Sequence, residues 1–347
     1  YVSTIDVTSI VRNNALQKFI TDSMYVGNIP SFGSGNIAIT DYNNDSIPDI
    51  IFSIMKQEDK VHLYTYPSYQ FILMSKGVLD YELKVIPSYF RCGDADVYAD
   101  LNGDGKTDVL TPMAVHSDNY YNGLKNATRI ISYMNSDSYT FSNVVLGNGA
   151  FQGTAYVNDL DKNGISDIII GEMDNGFSVY GSMGGFYHTG IGPILYLNYR
   201  NGIATNTIVL EDAGFKAKWQ TNNRFNMTES VAFSDLNNDG WTDLYVANDY
   251  DEPDFMYYNN GDGTFTDVTK SAGLLSFHPT QTASWADVNN DGYLDLFVGN
   301  ESKEKQSHPC ELYINQKDGS FIEKSSDYNL SSIEGFIKGV VFGDINN

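Results

Sequence analysis

The sequence predicts an all-β fold, a β-propeller of four-stranded blades with calcium-binding loops between the first and second strand of each blade. Three observations predict it. A nine-residue aspartate-rich loop recurs five times in full, at Asp41–Asp49 (DYNNDSIPD), Asp100–Asp108 (DLNGDGKTD), Asp159–Asp167 (DLDKNGISD), Asp235–Asp243 (DLNNDGWTD) and Asp287–Asp295 (DVNNDGYLD), and a sixth begins at Asp344 (DINN). Successive loops start 59, 59, 76, 52 and 57 residues apart, an interval that holds four short strands. Each loop leads into a β-rich apolar run, from Ile50-Ile51-Phe52 in the first to Leu296-Phe297-Val298 in the fifth, and such runs read as strands.

Each loop sets oxygen-bearing side chains at positions 1, 3, 5 and 9, and four of the five have glycine at position 6. That pattern wraps a hard cation, and calcium fits it. The expected ligands are Asp41, Asn43, Asp45 and Asp49; Asp100, Asn102, Asp104 and Asp108; Asp159, Asp161, Asn163 and Asp167; Asp235, Asn237, Asp239 and Asp243; and Asp287, Asn289, Asp291 and Asp295. The backbone carbonyl at position 7 completes each set, at Ile47, Lys106, Ile165, Trp241 and Tyr293, and Asp344 and Asn346 open the sixth. An EF-hand loop needs a glutamate at position 12 and flanking helices. Position 12 here is Phe52, Thr111, Ile170, Val246 and Val298, none of which binds calcium. Three carboxylates per loop repel one another by about 4 kcal/mol per pair at roughly 4 Å and an effective dielectric near 20, and a divalent ion relieves that repulsion. The first loop is the weakest on this reading, because Ser46 replaces the glycine and Pro48 stiffens position 8.

In chain order, residues 1–29 fit no complete blade and supply either an outer strand that closes a ring or the end of a preceding blade. Blades then fall at about 30–88, 89–148, 149–225 with an insertion, 226–278 and 279–334, with a partial blade at 335–347. The fourth reads most clearly. Strands Ser230–Ser234, Leu244–Ala247 and Phe255–Tyr258 precede the hairpin Asn259–Gly263 and a last strand Thr264–Val268. The fifth repeats it with Ala283–Ala286, Leu296–Gly299, Glu311–Ile314, the hairpin Asn315–Gly319 and Ser320–Lys324, and Asp262 and Asp318 are turn residues. The stretch Gly171–Arg224 is longer than a blade end requires and carries a basic group at Arg200, Lys216, Lys218 and Arg224; an inter-blade connection explains it better than a partner site.

A formal charge of −23 over 347 residues excludes nucleic acid as a partner class, since phosphate binding needs concentrated Lys and Arg. Fifteen of the carboxylates lie in the five loops. No apolar run reaches the length of a membrane helix, so direct membrane insertion is not expected, and Tyr1-Val2-Ser3 does not begin a signal peptide. Calcium sites of this kind fill at millimolar calcium, which places the chain outside cells. The sequons at Asn126, Asn226, Asn300 and Asn329 accord with a secreted glycoprotein. Cys92 and Cys310 define no disulfide framework; they pair across the fold, pair elsewhere, or remain small buried residues, the last being the default.

The loop pattern followed by an apolar strand resembles the FG-GAP or VCBS repeats of integrin α-subunit propellers and secreted microbial proteins. The resemblance is strongest from Glu229 onward, where ESVAFSDLNNDGWTDLYVANDYDEPDFMYYNNGDGTFTDVT, the HPCELY of His308–Tyr313 and the GVVFGD of Gly339–Asp344 are similar to the cartilage acidic protein family. Phe32-Gly33 and Phe342-Gly343 retain the FG signature without GAP. The resemblance implies a propeller, usually of seven blades, with calcium at the rim of one face and uses in adhesion, recognition and scaffolding.

Three functional readings follow. The first is a non-catalytic extracellular adhesion or structural propeller whose partner is an extracellular protein or glycan, with contacts expected in the loops between second and third strands: Asp249, Asp251, Glu252 and Asp254 in the fourth blade, Asn300–Cys310 in the fifth, and His116, Tyr120 and Tyr121 in the second. The second is a glycan-binding or carbohydrate-active propeller. The third is a self-assembling subunit of an extracellular filament or coat. No catalytic constellation is visible: His62, His116, His188, His278 and His308 are scattered, and no G-x-S-x-G motif accompanies them.

Overall fold

The computed structural model describes residues 33–43, 45–55, 69–77, 80–87, 97–114, 128–136, 140–148, 153–164, 166–172, 194–200, 203–209, 228–249, 253–302, 306–335, 337, 339–340 and 342. Among them are five four-stranded sheets. The first contains β1 (Gly33–Thr40), β2 (Asp49–Met55), β3 (Tyr69–Gly77) and β4 (Asp80–Pro87); the second β5 (Val97–Ala99), β6 (Asp108–Ala114), β7 (Thr128–Ser136) and β8 (Thr140–Asn148). The third contains β9 (Gly153–Asn158), β10 (Asp167–Glu172), β11 (Ile194–Arg200) and β12 (Ile203–Val209). The fourth contains β13 (Thr228–Ser234), β14 (Asp243–Asn248), β15 (Phe255–Asn259) and β16 (Phe265–Asp267), and the fifth β17 (Thr280–Ala286), β18 (Asp295–Asn300), β19 (Glu311–Asn315) and β20 (Phe321–Glu323). Strands adjacent in the chain are adjacent in every sheet. Among the described residues one short helix, α1 (Thr269–Ala272), follows β16. The expected residues 1–29 and 343–347 lie outside the described residues.

The chain forms two compact units, residues 1–155 with 200–202 and residues 156–199 with 203–347, so the division falls within β9. Strands β11 and β12 come from the stretch read as the end of the third blade plus an insertion, and they supply half of the third sheet. Of its basic group, Arg200 ends β11, while Lys216, Lys218 and Arg224 lie outside the described residues.

In the second unit, burial follows the two-residue period of a strand. All six residues of β14 are buried. Leu244 and Val246 point one way, into a cluster with Leu160, Ile169, Val231, Phe255, Tyr257 and Phe265. Tyr245 and Ala247 point the other way and pack with Leu296, Val298, Tyr313 and Phe321 of the fifth sheet. The apolar run after the aspartate loop has no polar alternation because neither of its faces meets water. In the first unit, Tyr42, Ile51, Ile72 and Met74 make the corresponding cluster, with Tyr98 packed against it.

The expected strands are present, with ends that move by one to three residues. The first strands begin earlier, at Thr228 and Thr280, because a register shift between Thr228 and Ser230, and again between Thr280 and Thr282, lets pairing continue past the irregularity. The last strand of the fourth sheet ends at Asp267 rather than Val268. Asp267 Oδ1 accepts from the N–H of Thr269 at 3.0 Å and from its hydroxyl at 2.7 Å, which turns the backbone into α1. Gly273 closes that helix at φ 77.

The third strands of the fourth and fifth sheets each end on a buried asparagine that clamps the turn beyond it. Asn259 Nδ2 donates to the carbonyls of Leu160 (2.9 Å) and Thr242 (3.2 Å), and its Oδ1 accepts from Gly261 N (3.0 Å). Asn315 Nδ2 donates to the carbonyl of Leu294 (3.2 Å) and its Oδ1 accepts from Lys317 N (2.8 Å). Replacing Asn259 with alanine strands the buried Leu160 carbonyl and two part-buried backbone groups, and a loss of about 2 kcal/mol in urea unfolding is expected. Asn315→Ala should cost less, because the amide of Asn315 serves one carbonyl where that of Asn259 serves two.

Candidate metal centres

The described parts of all five complete loops follow one hydrogen-bonding plan. The first-position aspartate accepts from the N–H groups of positions 5 and 6: Asp235 takes those of Asp239 (3.1 Å) and Gly240 (2.9 Å), and Asp287 those of Asp291 (2.9 Å) and Gly292 (2.8 Å). Asp41, Asp100 and Asp159 do the same in their loops. The third-position oxygen also accepts from position 5, and the fifth-position carboxylate accepts from position 7, as Trp241 N to Asp239 at 2.8 Å. These bonds hold the acidic side chains turned inward before any ion is considered. Asp159, Asp161 and Asp167 bring one oxygen each within 4.8 Å of one another, a spacing that a single cation with oxygen ligands at about 2.3–2.6 Å can span.

The turn requires left-handed backbone at two positions. Position 6 is Gly105, Gly164, Gly240 or Gly292, at φ 80 to 90, and Ser46 takes φ 68 in the first loop. Position 4 is left-handed too, at Gly103, Lys162, Asn238 and Asn290, a second demand that sequence reading missed although glycine and asparagine there signal it. Ser46 follows the common plan, donating its N–H to Asp41 at 2.8 Å, so the first loop differs from the others by the strain of a non-glycine residue rather than by its shape.

The ninth-position aspartate is buried in every complete loop, with Asp49, Asp108 and Asp243 fully so. It ties the loop to the sheet. Asp243 Oδ2 accepts from Leu236 N (2.8 Å) and Oδ1 from Asn259 N (2.9 Å) at the end of β15; Asp295 joins Val288 N (3.0 Å) to Asn315 N (2.9 Å), and Asp49 joins Tyr42 N (3.0 Å) to Ser75 N (2.7 Å). Burial pushes the Asp243 carboxyl up to about 6, against the two N–H donors, and Asp239 and Asp235 push it the same way. Asp49 and Asp295 are raised for the same first reason. Of the other expected ligands, Ile165, Asp344 and Asn346 lie outside the described residues.

At the opposite strand ends, the structure corrects two expectations. Asp254, expected at a partner-facing loop, is fully buried; it accepts from Tyr245 OH (2.8 Å), Asn248 N (2.7 Å) and Thr280 Oγ1 (2.7 Å), and burial pushes its carboxyl up to about 7. It joins the fourth sheet to the fifth and is not available to a partner. Asn300, expected as a glycan acceptor, is also fully buried, its amide donating to Pro309 O (2.9 Å) and to Glu311 Oε2 (3.1 Å). Asn248 clips the Pro253 carbonyl in the same way at 2.7 Å, so this asparagine is a repeated strand-end device. Asp249 is buried, Asn329 is exposed, and Asp251, Glu252, Asn126, Asn226, His116, Tyr120 and Tyr121 lie outside the described residues.

Two of the scattered histidines meet: the rings of His278 and His308 lie 5.1 Å apart, with His278 Nδ1 3.2 Å from Glu311 Oε2. Cys310 is buried with a free thiol, and Cys92 lies outside the described residues. Among the described residues no helix is long and apolar enough to cross a membrane.

Residues 235–298 and 287–347 match the model of the FG-GAP-like repeat. Cartilage acidic protein 1 of Xenopus tropicalis is 30% identical over 79 residues, covering 22% of this chain and 12% of that protein; its Homo sapiens counterpart is 38% identical over 60 residues, covering 17% and 9%. The chain thus aligns with about a tenth of the length of these relatives. Among solved structures, an Agrocybe aegerita lectin that recognises non-reducing terminal N-acetylglucosamine superposes with TM-score 0.47 at 18% identity, covering 84% of this chain and 65% of that one. The V. cholerae biofilm matrix protein Bap1 superposes with TM-score 0.41 at 14% identity, covering 87% and 42%. Over residues 235–347, about a third of the chain, the sequence is similar to FG-GAP-like repeats.

Proposed function

We propose that the chain is a calcium-stabilised β-propeller that works outside the cell as a non-catalytic adhesion or recognition module. The observation that carries this reading is the convergence of five loops of differing sequence on one inward-turned set of oxygen donors. Calcium bound there would link positions 1, 3, 5, 7 and 9 and so staple the first strand of each sheet to the second. Such sites fill at extracellular calcium levels. The FG-GAP-like match and relatives named for cartilage support an extracellular protein or glycan as the partner.

A glycan is the second reading, and one observation favours it. A hollow of about 430 Å³ at the first loop is lined by six polar residues, among them Asp45, Lys76, Glu82 and Lys84, and by the apolar Ile47 and Met74, a mixture suited to a sugar. Retention on immobilised polysaccharides, lost in Lys76→Ala with Lys84→Ala, is the expected outcome if this hollow is used; unchanged retention would assign the contact elsewhere.

Chelation tests the calcium reading directly. Each site occupied only in the folded state adds about 1.4 kcal/mol at ten times its Kd, so EDTA should lower the melting temperature by several degrees, and an unchanged melt would remove calcium from the account. Asp243→Ala or Asp295→Ala should cost about 3 kcal/mol in the calcium-loaded protein, more than Asp41→Ala in the first loop, because Asp243 also holds two buried N–H groups and Asp295 one buried and one part-buried, whereas those held by Asp41 are exposed.

The pH dependence has a definite sign. The folded-state pKa values of Asp243 and Asp254 are raised to about 6 and about 7, so in EDTA these two contribute stability that is present in acid and lost as pH rises through that window, and the raised Asp49 and Asp295 act with the same sign. The EDTA-treated protein should therefore melt higher at pH 5 than at pH 8, whereas calcium should protect progressively less as protons displace it below about pH 6.

A further inference from the structure

The fourth and fifth sheets build the same turn after their third strand and differ at one residue that faces the metal loop. Gly261 and Lys317 hold the same place: each donates its N–H to the asparagine ending the strand, at 3.0 and 2.8 Å, and each is left-handed, at φ 75 and 69. In the fourth sheet Trp241, the seventh residue of its loop, covers Gly261 so closely that a Cβ there would lie 2.4 Å from the ring. No side chain at 261 has room to reach Asp239. In the fifth sheet Tyr293 takes the place of the tryptophan and a lysine fits. The Lys317 ammonium lies 5.2 Å from the centre of the Tyr293 ring and 3.3 Å from Oδ2 of Asp291, the fifth-position carboxylate.

The geometry points to Lys317 as a tethered competitor of the divalent ion at the fifth loop, an inference that rests on the calcium reading above. Both oxygens of Asp291 are engaged. Oδ1 accepts from Tyr293 N (2.9 Å), while Oδ2 accepts from the Asn289 amide (3.1 Å) and pairs with Lys317. An arriving calcium ion must displace the ammonium or tolerate a positive charge a few ångströms away. With the Lys317 side chain about half exposed, solvent and salt screen the repulsion, and the expected penalty is about three- to tenfold in affinity. The fourth loop also has a lysine nearby, Lys162, 5.0 Å from the centre of the Trp241 ring, but among the described residues it is Lys317 that pairs with a carboxylate of these two loops, so with the same side-chain ligands in both the loop at Asp287–Asp295 fills at higher calcium than the loop at Asp235–Asp243. One hairpin residue, outside the loop itself, sets the difference.

The test is a calcium titration of the full chain by chelator competition. Asp287→Asn identifies which binding constant belongs to the fifth loop, and Asn289→Ala serves as a second marker of that loop should the first variant fold poorly. Lys317→Gly copies the fourth sheet and suits the left-handed backbone, so it should fold normally and tighten that one constant by three- to tenfold. Lys317→Arg keeps the charge and should leave it weak, and the gap between Gly and wild type should shrink in high salt. An unmoved or weaker constant in Lys317→Gly, or equal tightening in Lys317→Arg, overturns the assignment while calcium binding stands. Absence of calcium binding in every variant and in the wild type overturns the calcium reading as well, and the two failures are told apart by the wild-type titration alone.

Discussion

The buried carboxylate at the ninth loop position is the constraint on which the rest of each repeat depends. Asp243 is reached by the N–H of Leu236 at the start of its loop and by that of Asn259 at the end of the third strand, so one side chain fixes the loop, the second strand and the third strand together. Burying a carboxylate is costly unless it is hydrogen-bonded, and here the donors are backbone groups that would themselves be stranded without it. The loop and the sheet therefore form as a unit. On the calcium reading proposed above, the same carboxylate would serve as a metal ligand as well as the structural anchor.

In the second unit the two ends of the sheets are divided by role. Acidic loops gather at one end. At the other, Asn248, Asn300, Asp254, Thr280 and Glu311 satisfy one another and the strand-end carbonyls, leaving a polar network that holds sheets together. Between the ends, Tyr245 crosses from packing to polarity: its ring sits among apolar side chains and its hydroxyl reaches Asp254. A Tyr-rich chain suits this arrangement, since the ring contributes buried apolar area while the hydroxyl adds one more donor to a buried carboxyl.

What the sequence disclosed was the periodic part. The loops, the strands either side of them and the hairpins at Asn259 and Asn315 were legible because each is specified locally, by side chains binding backbone groups a few residues away. Asp262 and Asp318 accept from the backbone and hydroxyl two residues on, as turn residues do. The non-local part was not legible. Asp254 sits in a stretch of acidic residues that reads as solvated, and only the approach of Thr280, 26 residues later, explains its burial. Asn300 carries a sequon that is indistinguishable in sequence from an exposed one. The asparagines at 248, 259, 300 and 315 do recur at matching places in two repeats, and aligning the repeats beyond the loop would have marked them as structural.

Every described sheet is assembled from strands in chain order, each hydrogen-bonded to its immediate predecessor. Pairings of that kind close short loops, so the entropy lost in forming a sheet is small and is recovered before distant segments must meet. A nascent chain can complete one sheet while the next is still being synthesised, and a segment encoding four strands can be duplicated or lost without threading the chain differently. The intervals between the aspartate loops, which range from 52 to 76 residues, can differ because the connections absorb extra length and leave the hydrogen-bonded unit intact.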